Sequence, residues 1–307
     1  MARQLLECVP NFSEGRRTDV IEAILEPFRR IKGCGLLDHR ADRDHNRLVV
    51  SLAGSPGPVQ DALIQAAKIA VERIDMEGHQ GGHPRIGAVD VIPFVPLQDM
   101  TMEDCVSLAR EFGKRYHEET GIPVYYYEEA ALNPDRRRLE VIRKGQYEGL
   151  KEEIGRPERH PDVGAPRLHP TAGATVIGAR KPLVAFNVNL ETRDLRIAKE
   201  IARAIRKSGG GLGHVKAIGL PVEKRNLVQV SLNLVDHEKN PLYRVLELIR
   251  MEARRWGVTV VETELCGMVP AEAMLESLAY YLQLTGFSAR QVLQLRLLHS
   301  LLSEQDP

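Results

Sequence analysis

The sequence predicts an α+β fold built from two copies of one smaller unit, and three observations carry that expectation. Segments with helical periodicity alternate with short apolar runs of strand length along all 307 residues. The order strand, helix, strand, strand, helix, strand occurs early in the chain and again about 180 residues later, a spacing too long for a solenoid and suited to a duplicated domain. Finally, Asn46-Arg47-Leu48-Val49-Val50-Ser51-Leu52 lines up with Asn226-Leu227-Val228-Gln229-Val230-Ser231-Leu232, matching Asn, Val, Ser and Leu. Such an order of elements describes a ferredoxin-like α/β sandwich, with helices over one face of a sheet. The expected subdomains are 1–180 and 181–307 of the chain, with a ligand groove between them.

Leu5–Pro10 reads as the first strand and Thr18–Arg30 as the helix after it. Cys34–His39 and Arg47–Ala53 are the next strands; in the second, Leu48, Val50 and Leu52 alternate with Val49 and Ser51. Ser55-Pro56-Gly57-Pro58 opens a helix whose Leu63, Ala66, Ala67, Ala70 and Ile74 form one apolar stripe. The apolar run Val89–Pro96 has the character of a buried strand. Thr101-Met102-Glu103-Asp104 has the spacing of a capping box, with Asp in place of Glu, ahead of a helix to Glu118. Val124–Tyr127 follows as a strand, then short helices near 135–144 and 147–154.

Gly155–Thr171 breaks this rhythm with Pro157, Pro161, Pro166 and Pro170, which makes it the candidate linker. Leu183–Leu190, Leu195–Lys207, His214–Leu220, Asn226–Leu232, Pro241–Trp256 and Val258–Leu265 then repeat the first pattern, and two helices close the chain. The glycines of Ser208–His214 follow a helix and open a strand, the reverse of a phosphate loop. They read as a helix cap with Gly209 at or near the left-handed position.

Forty-two basic residues balance forty-two acidic ones, which argues against a general nucleic-acid or membrane-surface binder. Aromatic content is low, so base-stacking platforms are not expected. The four cysteines lie far apart with no metal spacing and read as reduced thiols of a cytoplasmic protein. No apolar stretch approaches the roughly 20 residues of a membrane helix, and the N-terminal apolar run is too short for a signal peptide.

The chemistry concentrates in Glu77-Gly78-His79-Gln80-Gly81-Gly82-His83-Pro84-Arg85-Ile86-Gly87-Ala88-Val89-Asp90. Its glycines and proline exclude regular structure, so two imidazoles and a guanidinium sit on a short loop between a helix and a strand. A histidine with an ordinary pKa takes up and returns a proton near neutral pH. His79 and His83 have the spacing of two metal ligands on a helix, and Asp38, His39, Asp42, Asp44 and His45 add further donors. Gly81-Gly82 argue against the helix that would make the spacing meaningful, so no metal is expected.

His83-Pro84-Arg85-Ile86-Gly87-Ala88 and Pro10-Asn11-Phe12-Ser13-Glu14-Gly15 resemble signatures of the glutamate formimidoyltransferases, the transferase part of formimidoyltransferase-cyclodeaminase. The resemblance covers nearly the whole chain. It implies transfer of a formimino group from N-formimidoyl-L-glutamate to N5 of tetrahydrofolate as co-substrate, with His83 as the catalytic residue. It also implies a cytoplasmic homodimer in histidine degradation, and a separate cyclodeaminase to act next. Asp44-His45-Asn46-Arg47 matches a family string, which makes Asp44 or Asp38 the carboxylate expected to orient His83. Arg47 and Arg85 are the candidates for the carboxylates of substrate and folate. Gly164-Ala165-Pro166-Arg167-Leu168-His169-Pro170-Thr171-Ala172-Gly173 falls on the family's folate-binding connection. Asn11, Asn187 and Asn189 at strand ends suit a pterin or substrate amide, or equally a turn cap. The competing functions are formyl transfer between glutamate and 5-formyltetrahydrofolate, and folate binding without catalysis.

Overall fold

The computed structural model describes residues 4–222 and 225–303. Its chain divides into two compact units that part between Arg180 and Lys181. In chain order the first unit holds β1 (Leu6–Cys8), β2 (Asn11–Phe12), α1 (Thr18–Arg30), β3 (Cys34–Asp42), β4 (Arg47–Gly54), α2 (Pro56–Arg73), β5 (Val89–Pro96) and α3 (Met102–Thr120). β6 (Val124–Glu128), α4 (Leu139–Ile142), α5 (Gln146–Glu153) and β7 (Thr175–Ala179) complete it.

The predicted first strand is interrupted. β1 and β2 are halves of one strand, since both pair antiparallel with β4 on one side and with β5 on the other. Pro10 lies at the break and has no N–H to give the ladder, although its carbonyl still accepts from Val50 N at 3.0 Å. Across the sheet the order is β3, β4, the split strand, β5, β7, β6, with the last two pairings parallel.

Alternation along the strands splits the apolar side chains between two layers. Ile92, Tyr126 and Ile177 join Ile24, Phe28, Leu63 and Phe112 under the three long helices α1, α2 and α3. Val91, Tyr125 and Val176 point the other way and pack with Ile142, Leu150 and Ile154 from the α4–α5 segment. Both faces of β5, β7 and β6 are therefore covered, as buried parallel strands require.

Gly155–Thr171 is no linker between units. Val124 N donates to Val163 O at 3.0 Å, Asp162 N donates to Val124 O at 2.8 Å, and Met76 N donates to Thr171 O at 2.8 Å. Prolines exclude regular structure there, but the remaining N–H and C=O groups tie the segment to β6 and to the end of α2.

The second unit holds β8 (Val184–Leu190), α6 (Leu195–Ile205), β9 (Val215–Val222), β10 (Leu227–Leu234), α7 (Leu242–Arg255), β11 (Val260–Cys266), α8 (Ala271–Leu282) and α9 (Leu293–Ser303). Its antiparallel sheet runs β11, β8, β10, β9, over a core that includes Val188, Val230, Ile201 and Ile249. Ranked by place in the chain, these strands lie fourth, first, third, second. The split strand, β3, β4 and β5 of the first unit lie in the same order. Asn46 and Asn226, each just before the third strand, both hold left-handed backbones, with φ of 49° and 55°. After α6 the left-handed glycine is Gly210, φ 91°, and not Gly209, because a tight turn at Lys207–Gly209 intervenes before the chain reverses. Among the described residues no helix is long and apolar enough to cross a membrane.

Candidate functional site

The loop between α2 and β5 is held against the turn between β3 and β4, and this seam forms the site. Asn46 knots it together. Its side-chain oxygen accepts from Gly15 N at 2.9 Å, its amide donates to Gln80 O at 3.0 Å, and its carbonyl accepts from His79 Nε2 at 3.1 Å. Gly81 must be glycine here, because a Cβ would lie 2.2 Å from His45 O. Ser13 fixes the far end by donating from its hydroxyl to Gly87 O at 2.7 Å.

A shallow recess opens on this seam, with His83, His45, Arg47 and Asn11 among its walls. His83 is half-buried, and its Nδ1 lies 2.8 Å from Pro84 O. A carbonyl only accepts, so Nδ1 carries the hydrogen and Nε2 keeps its lone pair. Burial first, then the guanidinium charges of Arg47 and Arg143, push the imidazole down to about 3. The ring is neutral at physiological pH.

Among the described residues no carboxylate is hydrogen-bonded to His83, contrary to expectation. Asp38 is exposed on β3, paired across to Ser51, and the Asp44 side chain is exposed on the turn. The carboxylate–imidazole pair instead joins Asp42 to His45, with Oδ2 to Nδ1 at 2.8 Å. Backbone N–H groups of Asp44 and His45 donate to Asp42 Oδ1 at 2.9 and 2.8 Å. Burial raises the Asp42 carboxyl, but these bonds outweigh it and hold the group below its usual range. The His45 and His83 rings meet edge to face, centroids 6.1 Å apart.

The two arginines divide. Arg47 donates from Nε to Asn11 Oδ1 at 2.8 Å, and its terminal nitrogens have no protein partner among the described residues. Burial first, then neighbouring Arg143, lower it to about 10, partly offset by Asp90 and Asp42. It is a charged fork facing the recess with its outer edge free. Arg85 is buried and committed: it grips Glu148 at 2.9 and 2.7 Å, and donates to His79 Nδ1 at 3.1 Å and to His79 O at 3.0 Å. With its donors so engaged, Arg85 is not the carboxylate ligand the sequence suggested. Both His79 nitrogens are bonded to protein as well, so His79 and His83 do not converge as a metal pair.

The expected folate segment lies beside the recess and not in its wall. Gly164–Arg167 are exposed, while Ala172 and Gly173 are buried. His169 Nδ1 accepts from Ala172 N at 3.1 Å, and Gly173 bridges to Gly87 on the loop of His83. Asp90 and Arg143 escaped the sequence reading of the site. Asp90 Oδ1 accepts from Ile86 N at 2.8 Å, and Oδ2 pairs with Arg143. A carboxylate inside an otherwise apolar strand was the available signal for the first. Nothing local marks Arg143.

Residues 5–180 match the formiminotransferase domain, N-terminal subdomain, and residues 185–297 match the formiminotransferase domain. A glutamate formimidoyltransferase of Streptococcus pyogenes serotype M1 is 46% identical over 296 residues, 96% of this chain and 99% of its own. One from Thermoplasma acidophilum is 48% identical over 292 residues, 94% of this chain and 96% of its own. The formimidoyltransferase-cyclodeaminase of Mus musculus is 45% identical over 284 residues, 91% of this chain but 52% of its own.

Proposed function

The chain belongs to the formiminotransferase family, and from that premise we infer that it transfers the formimino group of N-formimidoyl-L-glutamate to N5 of tetrahydrofolate. The products are L-glutamate and 5-formimidoyltetrahydrofolate. One observation carries this reading: two relatives named for the glutamate formimidoyltransferase activity align with nearly all of this chain and of themselves.

His83 is proposed as the proton carrier. N5 attacks the amidine carbon, and its hydrogen passes to the free lone pair on Nε2 of His83. The tetrahedral adduct then expels the glutamate nitrogen, which takes the proton back from the imidazolium as its bond to carbon breaks. Arg47, with its outer nitrogens free, suits a carboxylate of the donor. Burial first, and then the two guanidiniums, make His83 a weak base in the free protein. A donor carboxylate seated on Arg47 offsets part of that repulsion, so basicity rises when the donor is bound.

The rest of the proposal is coarser. The two units are read as duplicated ferredoxin-like subdomains, 1–180 and 181–307, supported by their common strand order and by the matched left-handed Asn46 and Asn226. Gly164–Gly173 is retained as the folate-binding connection, supported by its bridge to the loop that carries His83. The longer relatives, named formimidoyltransferase-cyclodeaminase, support a cyclodeaminase as the next enzyme to act on the product. Homodimer formation is part of the same family expectation.

The test is an assay of purified protein with tetrahydrofolate and either formiminoglutamate or formylglutamate, with the folate product identified by mass. The reading expects an imine product from the first donor. A formyl product from the second alone would replace it with formyl transfer, and binding without turnover would replace it with a folate carrier.

A further inference from the structure

The loop that carries His83 is gripped on both shoulders by one short stretch of chain, the end of α4 and most of α5. Before His83, Glu77 Oε1 accepts from Tyr147 Oη at 2.7 Å and pairs with Lys151. Just after it, Arg85 forks onto Glu148 and also donates to Gln146 Oε1 at 3.1 Å. Beyond that, Asp90 joins Arg143 while accepting from Ile86 N. The partners on the far side all lie between Arg143 and Lys151. Ile142 and Leu150, on either side of most of them, are packed with Ile86 and Val91, so the grip rests on a fixed apolar layer.

These pairs are a poor way to gain stability alone. The Asp90 and Arg143 side chains are only 5% and 12% exposed, and Arg143 Nε is buried with no partner. Apolar side chains of similar volume would serve the core as well or better, whereas directional bonds fix where the backbone of Ile86 and the guanidinium of Arg85 must lie.

We propose that the α4–α5 segment positions His83 for proton transfer, with Arg143 and Glu148 as the positioning residues. This rests on the formimidoyltransferase reading of the site. Loop placement to within an ångström is worth about a hundredfold in rate where a proton must move along a set line.

Three variants test it: Glu148→Gln, Arg143→Gln and Arg143→Lys. The Glu148 side chain is 63% exposed and Gln keeps an acceptor for the buried Arg85, and a denaturant titration of each variant reads the folded fraction separately. Glu148→Gln is expected to lower kcat about tenfold or more, with the donor KM within about twofold. Amide hydrogens across 78–88 should exchange faster, while those of β4 do not change.

Arg143→Gln adds a signature that lost packing alone does not produce. His83 faces Arg47 from β4, His45 from the turn before it, His79 and Arg85 from its own loop, Asp90 from β5, and Arg143. Removing one cation from that set raises the pKa of the imidazole, so the acid limb of the kcat profile moves to higher pH. Arg143→Lys should restore the limb and most of the rate. The proposal is overturned if Glu148→Gln keeps full kcat, or if activity is lost only in step with the folded fraction while loop exchange and the acid limb stay put. A wild-type protein that fails to turn over formiminoglutamate overturns the functional reading, and loop exchange then decides the brace by itself.

Discussion

At the scale of single residues, the site places a neutral imidazole beside a guanidinium whose outer nitrogens have no protein partner among the described residues. His83→Ala is expected to abolish turnover in the absorbance assay while leaving tetrahydrofolate binding within about threefold, since the ring moves a proton and anchors little. Arg47→Met is expected to raise the donor KM by about ten to a hundredfold, the range of a charge-assisted bond of about 1.5–3 kcal/mol. The depressed imidazole also ties folding to acidity. An unfolded histidine near 6.5 binds a proton that the folded His83, near 3, refuses. Its contribution to stability is therefore complete above 6.5 and is lost as pH falls toward 3. His79 and His169, both lowered first by burial, act in the same direction. Urea midpoints measured from pH 7 to pH 4 should fall less steeply for His83→Ala than for the wild type.

Individual elements show why some of this was legible in sequence and some was not. Thr101-Met102-Glu103-Asp104 works as a local code: Thr101 Oγ1 accepts from Asp104 N at 3.1 Å, and Asp104 Oδ2 accepts from Thr101 N at 2.8 Å. Thr101→Ala should lower stability by about 1 kcal/mol in a denaturant titration. The loop of His83 was readable for a similar reason, because glycine and proline dictate backbone within a few residues of themselves. Longer-range partners leave no such trace. Asp42, Asp44 and Asp38 all sit near the turn, and only the bend that begins at Asp42 decides that His45 is the imidazole it reaches. Arg143 meets Asp90 across 53 positions of sequence, so no local pattern links them. Gly155–Thr171 misled because proline-rich composition describes a tether and an irregular packed wall alike.

At the scale of the whole molecule, the helix-covered layer of the first unit and the core of the second are separate apolar clusters. Ile249→Ala, at a fully buried position on α7, should cost about 2–5 kcal/mol. Hydrogen exchange should find the loss in β8 and β10, while β5 and β7 keep their protection. The succession of strands and helices along the chain was readable from the alternation of elements. Of the two parallel strands beyond β5, Val124–Tyr127 was read as a strand but β7 was not, because β7 follows the proline-rich segment and its pairing with β6 depends on how that segment packs.

Asn46 and Asn226 take the same uncommon bend at the same point of their respective halves. An asparagine tolerates that bend better than most side chains, which is reason enough for either one to be there. The amide of Asn46, however, also stitches Gly15 and Gln80 to the turn. The molecule thus carries its own yardstick: position 226 gauges what the kink demands, and any excess sensitivity at position 46 measures what the stitching adds.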